Sequence, residues 1–260
     1  MPLHVEGRGS GPPLVLLHGF TQTGRLWGRF GDLLAESHTL LAIDLPGHGD
    51  SGSVRADLPT TAALVAEAVH SQVGETPCAV LGYSLGARVA LHVALGAELA
   101  LHGVLFIGVT AGIEDADERA RRRRSDDVMA DELEASGDVA RFVDSWLHGP
   151  LFERLASNDA AQRAERLRNT ADGLAASLRQ CGTGTQEPMW DVLSTMPAPV
   201  LALAGSDDTR FASHALRVAR LVPHGVASLV PGGGHAVHLA QPEQAARIVG
   251  HWLDAEPGPT

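Results

Sequence analysis

The chain has 260 residues, of which 44% are hydrophobic and 20% are charged. This length and composition suit one globular domain with an inserted subdomain and argue against the disordered and fibrous classes. The formal net charge of −11 argues against a nucleic-acid partner, because binding to phosphate backbones needs a basic surface. An anionic substrate would therefore have to be bound by a local cluster of arginines.

The cysteines and the apolar segments indicate the compartment. Cys78 and Cys181 lie far apart and match no metal-ligand or redox spacing, as expected in a reducing compartment. The N-terminus has no basic start followed by an apolar stretch, and the longest apolar runs, such as that at 14–17, are too short to span a bilayer. We therefore expect a cytoplasmic protein without a membrane partner.

Short apolar runs alternate with helical patterns along most of the chain. Strands are predicted at 3–6, 13–18, 38–43, 78–82, 103–108, 199–204 and 226–230. Helices are predicted at 60–73, 85–97, 210–221 and 242–254. This alternation is typical of the α/β class, in which a mostly parallel sheet lies between layers of helices.

Residues 111–190 interrupt the alternation. They contain no strand-like run, are rich in Ala, Arg, Asp and Glu, and are predicted to form several helices. Because they fall between the strands that end near Ile107 and begin near Pro199, such an insertion would sit above the C-terminal edge of the sheet, where open α/β sheets bind ligands. We therefore divide the chain into a core at 1–110, a helical cap at 111–190 and the remaining core at 191–260.

The strongest chemical signal is the pentapeptide Gly82-Tyr83-Ser84-Leu85-Gly86. It has the form Gly-x-Ser-x-Gly and lies between the predicted strand CAVLG and the helical run ARVALHVAL. This context predicts a nucleophile elbow, a strained strand-to-helix turn that exposes the serine hydroxyl at a helix N-terminus. Ser84 is therefore the candidate reactive residue.

A serine on such a turn needs a histidine base and an acid, in the chain order Ser…Asp/Glu…His. His235 follows the predicted strand at 226–230 and a glycine-rich loop, where that histidine is expected. His238 falls in the following helix and is interpreted as a packing or hydrogen-bonding residue. The acid should come just after the apolar run VLALAG, where Asp207 and Asp208 compete.

Two backbone N–H groups would complete an oxyanion hole beside the serine. One is predicted from Leu85, which directly follows the serine. The other is predicted from Phe20, in the turn after the strand at 13–18. The loop DLPGHG at 44–49 is interpreted as structural, and His48 within it as a scaffold residue.

Several absences narrow the reaction class. Epoxide hydrolases and haloalkane dehalogenases use an aspartate where this chain has Ser84, and epoxide opening typically uses cap tyrosines, whereas Tyr83 is the single tyrosine of the chain. No glycine-rich nucleotide motif, flavin motif or metal-ligand spacing occurs. No cofactor and no metal are therefore expected.

These motifs together resemble a known family. From Phe20 to the C-terminus the chain resembles the α/β-hydrolase superfamily and, within it, the 2-succinyl-6-hydroxy-2,4-cyclohexadiene-1-carboxylate synthases of the menaquinone pathway. The matches in the core are HGF at 18–20, DLPGHG at 44–49, GYSLGAR at 82–88, Gly205-Ser-Asp-Asp208 with Phe211, and Gly234-His235. The matches in the cap, which are specific to this branch, are Arg-Ser-Asp at 124–126, Trp146 with Pro150-Leu-Phe152, and Leu-Arg-Asn at 167–169.

The resemblance implies an enzyme of the α/β-hydrolase fold that acts on a small carboxylate-bearing substrate. The family pattern Gly-x-x-Asp, starting at Gly205, favours Asp208 as the acid. Ser84, activated by His235, would act as a general base on a cyclohexene substrate from which pyruvate is expelled by 2,5-elimination. The residues implied to contact the substrate are Arg88, Arg124 and Arg168 as carboxylate ligands, with Tyr83 and Trp146 lining the pocket.

The sequence around each arginine supports a position in the pocket to a different degree. Arg88 lies one helical turn after the serine, which directs its side chain toward the pocket mouth. Arg119 and Arg121–Arg123 lie among acidic residues and are interpreted as a salt-bridged solvent face of a cap helix. For Arg124 and Arg168, pocket and surface positions both remain open.

The chain departs from the family pattern at two places near the predicted site. Ala87 replaces the usual glycine, and Arg210 stands where lysine is common. These changes leave Ser84, Asp208 and His235 in place but leave the substrate open.

Three alternatives to the pyruvate-eliminating enzyme remain. The first is a carboxylic-ester or C–C bond hydrolase that forms an acyl-enzyme on Ser84, and the second is a cofactor-free perhydrolase with the same three residues. The third is a non-enzymatic binding protein, against which the complete set of motifs argues. The sequence does not indicate the oligomeric state.

Overall fold

The structure, a computed structural model, describes residues 2–152 and 160–255. The strands of this part of the chain are β1 (Val5–Gly9), β2 (Pro13–Leu17), β3 (Thr39–Ile43), β4 (Cys78–Tyr83), β5 (Leu101–Ile107), β6 (Val200–Gly205) and β7 (Gly225–Val230). They form one sheet in the order β1-β3-β2-β4-β5-β6-β7. Only β1 pairs antiparallel, with β3, and the other pairs are parallel. The predicted α/β class is confirmed.

Helices surround this sheet. The α-helices of the described residues are α1 (Gly28–Ala35), α2 (Leu58–Val73), α3 (Leu85–Gly96), α4 (Ala116–Ser136), α5 (Val139–Leu147), α6 (Ala160–Arg166), α7 (Ala171–Cys181), α8 (Thr209–Leu221), α9 (Val237–Ala240) and α10 (Pro242–Ala255). Short 3₁₀ helices are found at Gly49–Ser51, Pro150–Phe152 and Trp190–Thr195.

The two faces of the sheet pack against different helices. Alternate residues of a strand point to opposite faces, so Val80 and Leu81 of β4 belong to two separate apolar clusters. The cluster with Val80 includes side chains of α2, α3 and α8, and the cluster with Leu81 includes side chains of α1 and α10. Every residue of β4 is buried, as expected for a strand covered on both faces.

Two elements near the N-terminus differ from the prediction. The strand predicted at 3–6 lies at Val5–Gly9, where its sequence VEGRG has no apolar alternation and its backbone pairing with β3 determines its position. Helix α1 was not predicted, because Gly28 and Gly31 lower its helix propensity. Its buried side chains Phe30 and Leu34 stabilise it by packing in the core.

The turn from β4 into α3 is strained and very closely packed. Ser84 has φ +52° and ψ −102°, a conformation rare for a residue with a side chain. A Cβ at Gly82 would lie 2.1 Å from the Gly86 carbonyl oxygen, and a Cβ at Gly86 would lie 1.9 Å from the Leu17 carbonyl oxygen. Both glycines of the Gly-x-Ser-x-Gly motif are thus required, because a neighbouring backbone carbonyl leaves no space for a side chain at either position.

Helices α4 to α7 lie between β5 and β6 in the chain, where the cap was predicted. Helix α4 pairs with α7 through Arg179, whose guanidinium group contacts Asp131 and Glu134 at 2.6 Å. Residues 153–159 of the predicted cap, like residues 1 and 256–260 of the predicted core, are outside the described residues. The division at 1–110, 111–190 and 191–260 stays a prediction.

The connection between α6 and α7 is hydrogen-bonded to the loops that follow β2 and β3. Asn169 donates from Nδ2 to the Thr21 carbonyl oxygen at 2.8 Å and accepts from the Gly49 N–H at 2.9 Å. Arg166, which is fully buried, donates from Nη1 to Thr21 Oγ1 at 2.5 Å. The inserted helices are therefore attached to the rim of the sheet by polar contacts as well as by packing.

No helix within residues 2–152 and 160–255 is both long and apolar enough to serve as a membrane span.

Substitution of Gly86 tests the close approach at the elbow. We expect Gly86→Ala to lower the free energy of unfolding by more than about 2 kcal/mol, because the new Cβ collides with a backbone oxygen that cannot rotate away. Gly96→Ala at the exposed end of the same helix is the matched control. Its Cβ meets nothing within 4 Å, so it should be neutral or stabilise by up to about 1 kcal/mol. Urea unfolding measures both, and equal effects would contradict the steric explanation.

Candidate active site

Ser84, His235 and Asp208 come from loops after β4, β7 and β6 and meet at the C-terminal edge of the sheet. His235 Nε2 lies 3.1 Å from Ser84 Oγ, and His235 Nδ1 lies 2.8 Å from Asp208 Oδ2. Because an ionised carboxylate can only accept, Nδ1 carries the proton and Nε2 is free to accept from the serine hydroxyl. This is the arrangement in which a histidine activates a serine.

The structure separates the two neighbouring aspartates. Asp208 contacts His235 through one carboxylate oxygen and accepts the Phe211 N–H with the other at 3.3 Å, so it also caps helix α8. Asp207 is exposed, and its Oδ1 accepts a hydrogen bond from Ser206 Oγ at 3.2 Å. Asp208 is therefore the carboxylate that orients the imidazole.

Phe20 and Leu85 are the residues predicted to supply the two N–H groups of an oxyanion hole. Both residues line the same cavity as Ser84, and neither N–H donates to another backbone or side-chain group in the described part of the chain. Two unpaired N–H groups in this position can stabilise negative charge that develops near the serine oxygen.

Two buried histidines hold the loop that carries Phe20. His18 accepts the Leu45 N–H at Nε2, at 3.0 Å, and His48 accepts the Thr21 N–H at Nε2, at 3.3 Å. Burial lowers the pKa of His18 to about 4 and that of His48 to about 3, so both rings are neutral near pH 7 and can accept these bonds. His48 is thus a scaffold residue of the loop after β3, in the position predicted for it.

A cavity of about 290 Å³ opens above the serine. It is formed by loops at the sheet edge on one side and by the inserted helices on the other. Its lining residues are Phe20, Ser84, Leu85, Arg88, Gly108, Thr110, Arg122, Trp146, Leu151, Ser177, Leu178, Cys181, Gly182, Thr183, Asp208, Arg210, Phe211 and His235.

Two arginines give one wall of this cavity a positive charge. The Arg88 side chain is buried, and Nη1 donates to the Gly182 carbonyl oxygen at 3.3 Å. Burial lowers the pKa of Arg88 to about 10, which leaves the group charged at neutral pH. Arg122 donates from Nε to Asp126 Oδ1 at 2.9 Å, which leaves the other end of its guanidinium group for the cavity. A carboxylate in the cavity would meet both cations.

The structure brings some of the predicted substrate contacts to the cavity and not others. Arg88 and Trp146 line it. Tyr83 does not line the cavity, because its side chain is buried behind His235. The centroid of its ring lies 5.4 Å from that of His235 and 4.4 Å from that of His238.

Arg124 and Arg168 also lie away from the cavity. Arg124 is exposed, because two residues beyond Arg122 on an α-helix correspond to a rotation of about 200°. Arg168 pairs with Asp50 at 2.8 Å and with Glu165 at 3.4 Å in the connection after α6. For these two positions the structure corrects the placement that the resemblance implied.

Sequence reasoning assigned Arg122 to a solvent face and thereby missed it. The signal was its spacing of four residues from Asp126, a pair that meets on one helix face. Asp126 is only 1% exposed, so this face of α4 is turned inward. Arg166 was also missed, and burial lowers its pKa to about 10.

Among the described residues, His4, Asp44 and Asp50 come nearest to a metal-ligand arrangement, with candidate ligand atoms within 4.8 Å of one another. The Asp44 oxygens, however, accept the N–H groups of Gly24 at 2.6 Å and Asp50 at 2.8 Å. Asp50 pairs with Arg168. These carboxylates hold the loops after β2 and β3 rather than present free oxygens to a cation.

Residues 14–248 match the alpha/beta hydrolase family. The chain therefore belongs to this family, and it is an enzyme of the α/β-hydrolase fold.

Particular members of the family are similar over almost the whole chain. The 2-succinyl-6-hydroxy-2,4-cyclohexadiene-1-carboxylate synthase of Photorhabdus laumondii is 32% identical over 251 residues, which cover 95% of this chain and 87% of that protein. The structure of MenH from S. aureus has a TM-score of 0.90 and 26% identity, covering 97% of this chain and 98% of that one. A thermophilic esterase from Thermogutta terrifontis has a TM-score of 0.81 at 24% identity, covering 97% and 93%, which shows a shared fold.

The buried histidines make the stability of the fold depend on pH. Burial, followed by the charges of His235 and Arg166, lowers the pKa of His238 to about 3. The unfolded chain therefore binds a proton at this residue between about pH 3 and pH 6.5 that the folded chain does not bind. The contribution of His238 to the free energy of unfolding is therefore fully present above pH 6.5. It falls as the pH is lowered, by up to about 1.4 kcal/mol per pH unit for one histidine.

Urea unfolding between pH 5 and pH 7 measures this dependence. We expect His238→Phe to reduce the slope of the unfolding free energy against pH. If the phenylalanine ring is too large for the site, His238→Gln should reduce this slope instead. His251→Gln, which changes an exposed histidine of α10, should leave the slope as in the wild type. A slope unchanged by loss of His238 would contradict the pKa assignment.

Proposed function

We propose that this enzyme eliminates pyruvate from a carboxylate-bearing cyclohexene intermediate of menaquinone biosynthesis, with Ser84, His235 and Asp208 as its catalytic triad. The observation that carries the proposal is the pair of cations, Arg88 and Arg122, in the wall of the cavity that contains Ser84. The similarity to named synthases over 95% of the chain supports the same substrate class.

In this proposal Ser84 is the general base. His235 Nε2 accepts the serine proton, and Asp208 stabilises the imidazolium that forms. The serine oxygen removes a proton from the ring, electrons shift through the ring double bond, and the bond between the ring carbon and the oxygen of the leaving group breaks. The leaving group departs as the enolate of pyruvate and takes up the proton held on His235, which yields pyruvate and restores the neutral histidine. No water is added and no acyl-enzyme forms.

The rest of the cavity would hold the substrate and the charge. Arg88 and Arg122 would bind carboxylates, because guanidinium groups form paired, charge-assisted hydrogen bonds with them. The N–H groups of Phe20 and Leu85 would stabilise negative charge next to the serine oxygen. Trp146 would pack against the ring.

A second candidate function is hydrolysis of a carboxylic ester or of a C–C bond through an acyl-enzyme on Ser84. The observation that favours it is the pair of unpaired N–H groups, Phe20 and Leu85, since acyl transfer needs such a pair for its tetrahedral intermediate. The two functions differ in one intermediate, because only the hydrolase forms a covalent bond to Ser84.

Pyruvate release tests the proposed function. With the cyclohexene intermediate generated in place by the preceding enzyme of the pathway, the wild type should form pyruvate well above the spontaneous rate. Ser84→Ala should lower the rate by about 10³-fold or more, because it removes the proposed base. A wild-type rate equal to the background would refute elimination, and labelling of Ser84 by an activated ester in mass spectra would then favour the hydrolase.

Arginine variants test the proposed carboxylate contacts. Arg88→Ala and Arg122→Ala should each lower kcat/KM for the carboxylated substrate by about 10- to 100-fold, since hydrogen bonds to charged groups contribute about 1.5–3 kcal/mol. Arg124→Ala is the matched control, because it removes an exposed arginine from the same helix as Arg122. A loss for Arg124→Ala as large as that for Arg122→Ala would contradict the assignment made from the structure.

A further inference from the structure

We propose that Arg210 is a specificity-determining residue, which binds a second anionic group of the substrate on the side of the cavity away from Arg88 and Arg122. The inference deepens the proposed function and rests on it for the identity of the substrate. It predicts a substrate whose carboxylates flank the bond that reacts.

The position of Arg210 places it beside the reacting groups. It lies in the first turn of α8, two residues after Asp208, and it lines the same cavity as Ser84. Its neighbour Phe211 also lines the cavity and packs against the imidazole of His235, with ring centroids 4.4 Å apart. Arg210 is therefore on the histidine side of the cavity.

Arg88 and Arg122 lie on another side. Arg88 belongs to α3 and contacts Gly182, directly after α7, and Arg122 belongs to α4. Helix α3 follows β4 and helix α8 follows β6, and these strands are separated by β5. Strands two places apart in a sheet are about 10 Å apart. Arg88 and Arg210 thus start from elements that follow different strands of the sheet, at separate places on the cavity wall.

Arg210 differs from Arg122 and Arg217 because it has no acidic partner in the described part of the chain. Arg217, two turns later on α8, pairs with Glu114 at 2.6 Å, and Arg122 pairs with Asp126. The Arg210 guanidinium group lies over the adjacent Phe211 ring, 6.0 Å from its centroid. In a chain with a net charge of −11, an exposed arginine without a carboxylate at a cavity mouth leaves its charge available to a ligand.

These observations define a class of substrate. A ligand with one carboxylate would be held by Arg88 and Arg122 alone and could rotate about that end. A ligand with a further carboxylate near Arg210 would be held at two ends, which fixes the reacting carbon against Ser84. The site therefore fits a ring compound with two or more separated carboxylates.

Kinetics with the cyclohexene intermediate give the first test. Arg210→Ala should raise KM about tenfold or more, because a charge-assisted hydrogen bond is lost, and Arg210→Lys should recover part of that loss. Arg220→Ala is the control, since Arg220 is an exposed arginine in the last turn of the same helix and is not a lining residue of the cavity. It should behave as the wild type. Equal KM values for Arg210→Ala and Arg220→Ala would overturn the proposal.

A binding experiment separates this inference from the proposed function. trans-Cyclohexane-1,4-dicarboxylate and cyclohexanecarboxylate differ only in a second carboxylate, and neither carries a group that the enzyme could eliminate. Calorimetry should show that the wild type prefers the dicarboxylate and that Arg210→Ala reduces this preference about tenfold. Absence of pyruvate release would refute the proposed function while leaving this readout intact. No preference for the dicarboxylate, or a preference unchanged without Arg210, would overturn the role of Arg210.

Discussion

The close contact between the Leu17 carbonyl and Gly86 is the constraint on which the rest of the site depends. It lets helix α3 start directly against the end of β2, and it forces Ser84 into a positive φ. The serine oxygen then stands above the sheet edge at the level of the loops after β6 and β7, which bring Asp208 and His235. A side chain larger than hydrogen at Gly86 would separate these elements, so the geometry of the site is set by backbone packing.

Electrostatics explains how an acidic chain can present a cationic cavity. Many of its arginines away from the cavity are paired with acidic residues, as Arg179 is with Asp131 and Glu134. Such pairs contribute little to stability, but they neutralise positive charge elsewhere, whereas Arg88 in the cavity wall has no acidic partner in the described part of the chain. Arg88 is charged despite its burial because a guanidinium pKa of about 10 is still far above neutrality.

Local sequence patterns were sufficient for the fold class and for Ser84 and His235, whereas the choice of Asp208 over Asp207 depended on the resemblance to a family. Backbone geometry requires the two glycines around Ser84 and the chain order of serine, acid and histidine. Such requirements leave a recognisable pattern in the amino-acid sequence itself. Helix α1 could not be predicted in this way, because Phe30 and Leu34 stabilise it through contacts with distant segments.

The arginines of the inserted helices could not be assigned from sequence for a related reason. Helix α4 is charged on nearly every side, so its sequence does not show which face is turned inward, and the choice between Arg122 and Arg124 depends on the rotation of the helix about its axis. That rotation is determined by packing against α7 and the segment that follows it, where Gly184 approaches the backbone of Arg123. A resemblance carried over by position can err by half a helical turn in such a segment.

The bonds from Asn169 to Thr21 and Gly49 have a consequence for engineering. They join the connection between α6 and α7 to the loop after β2, which contains Phe20, and to the loop after β3, so a shift of the inserted helices would also shift these loops. A chimera that replaced the helices alone would leave the Thr21 carbonyl and the Gly49 N–H without partners and would displace the amide beside the serine. Exchange of substrate preference within this family therefore requires that the loop after β2 be transplanted together with the helices that lie above it.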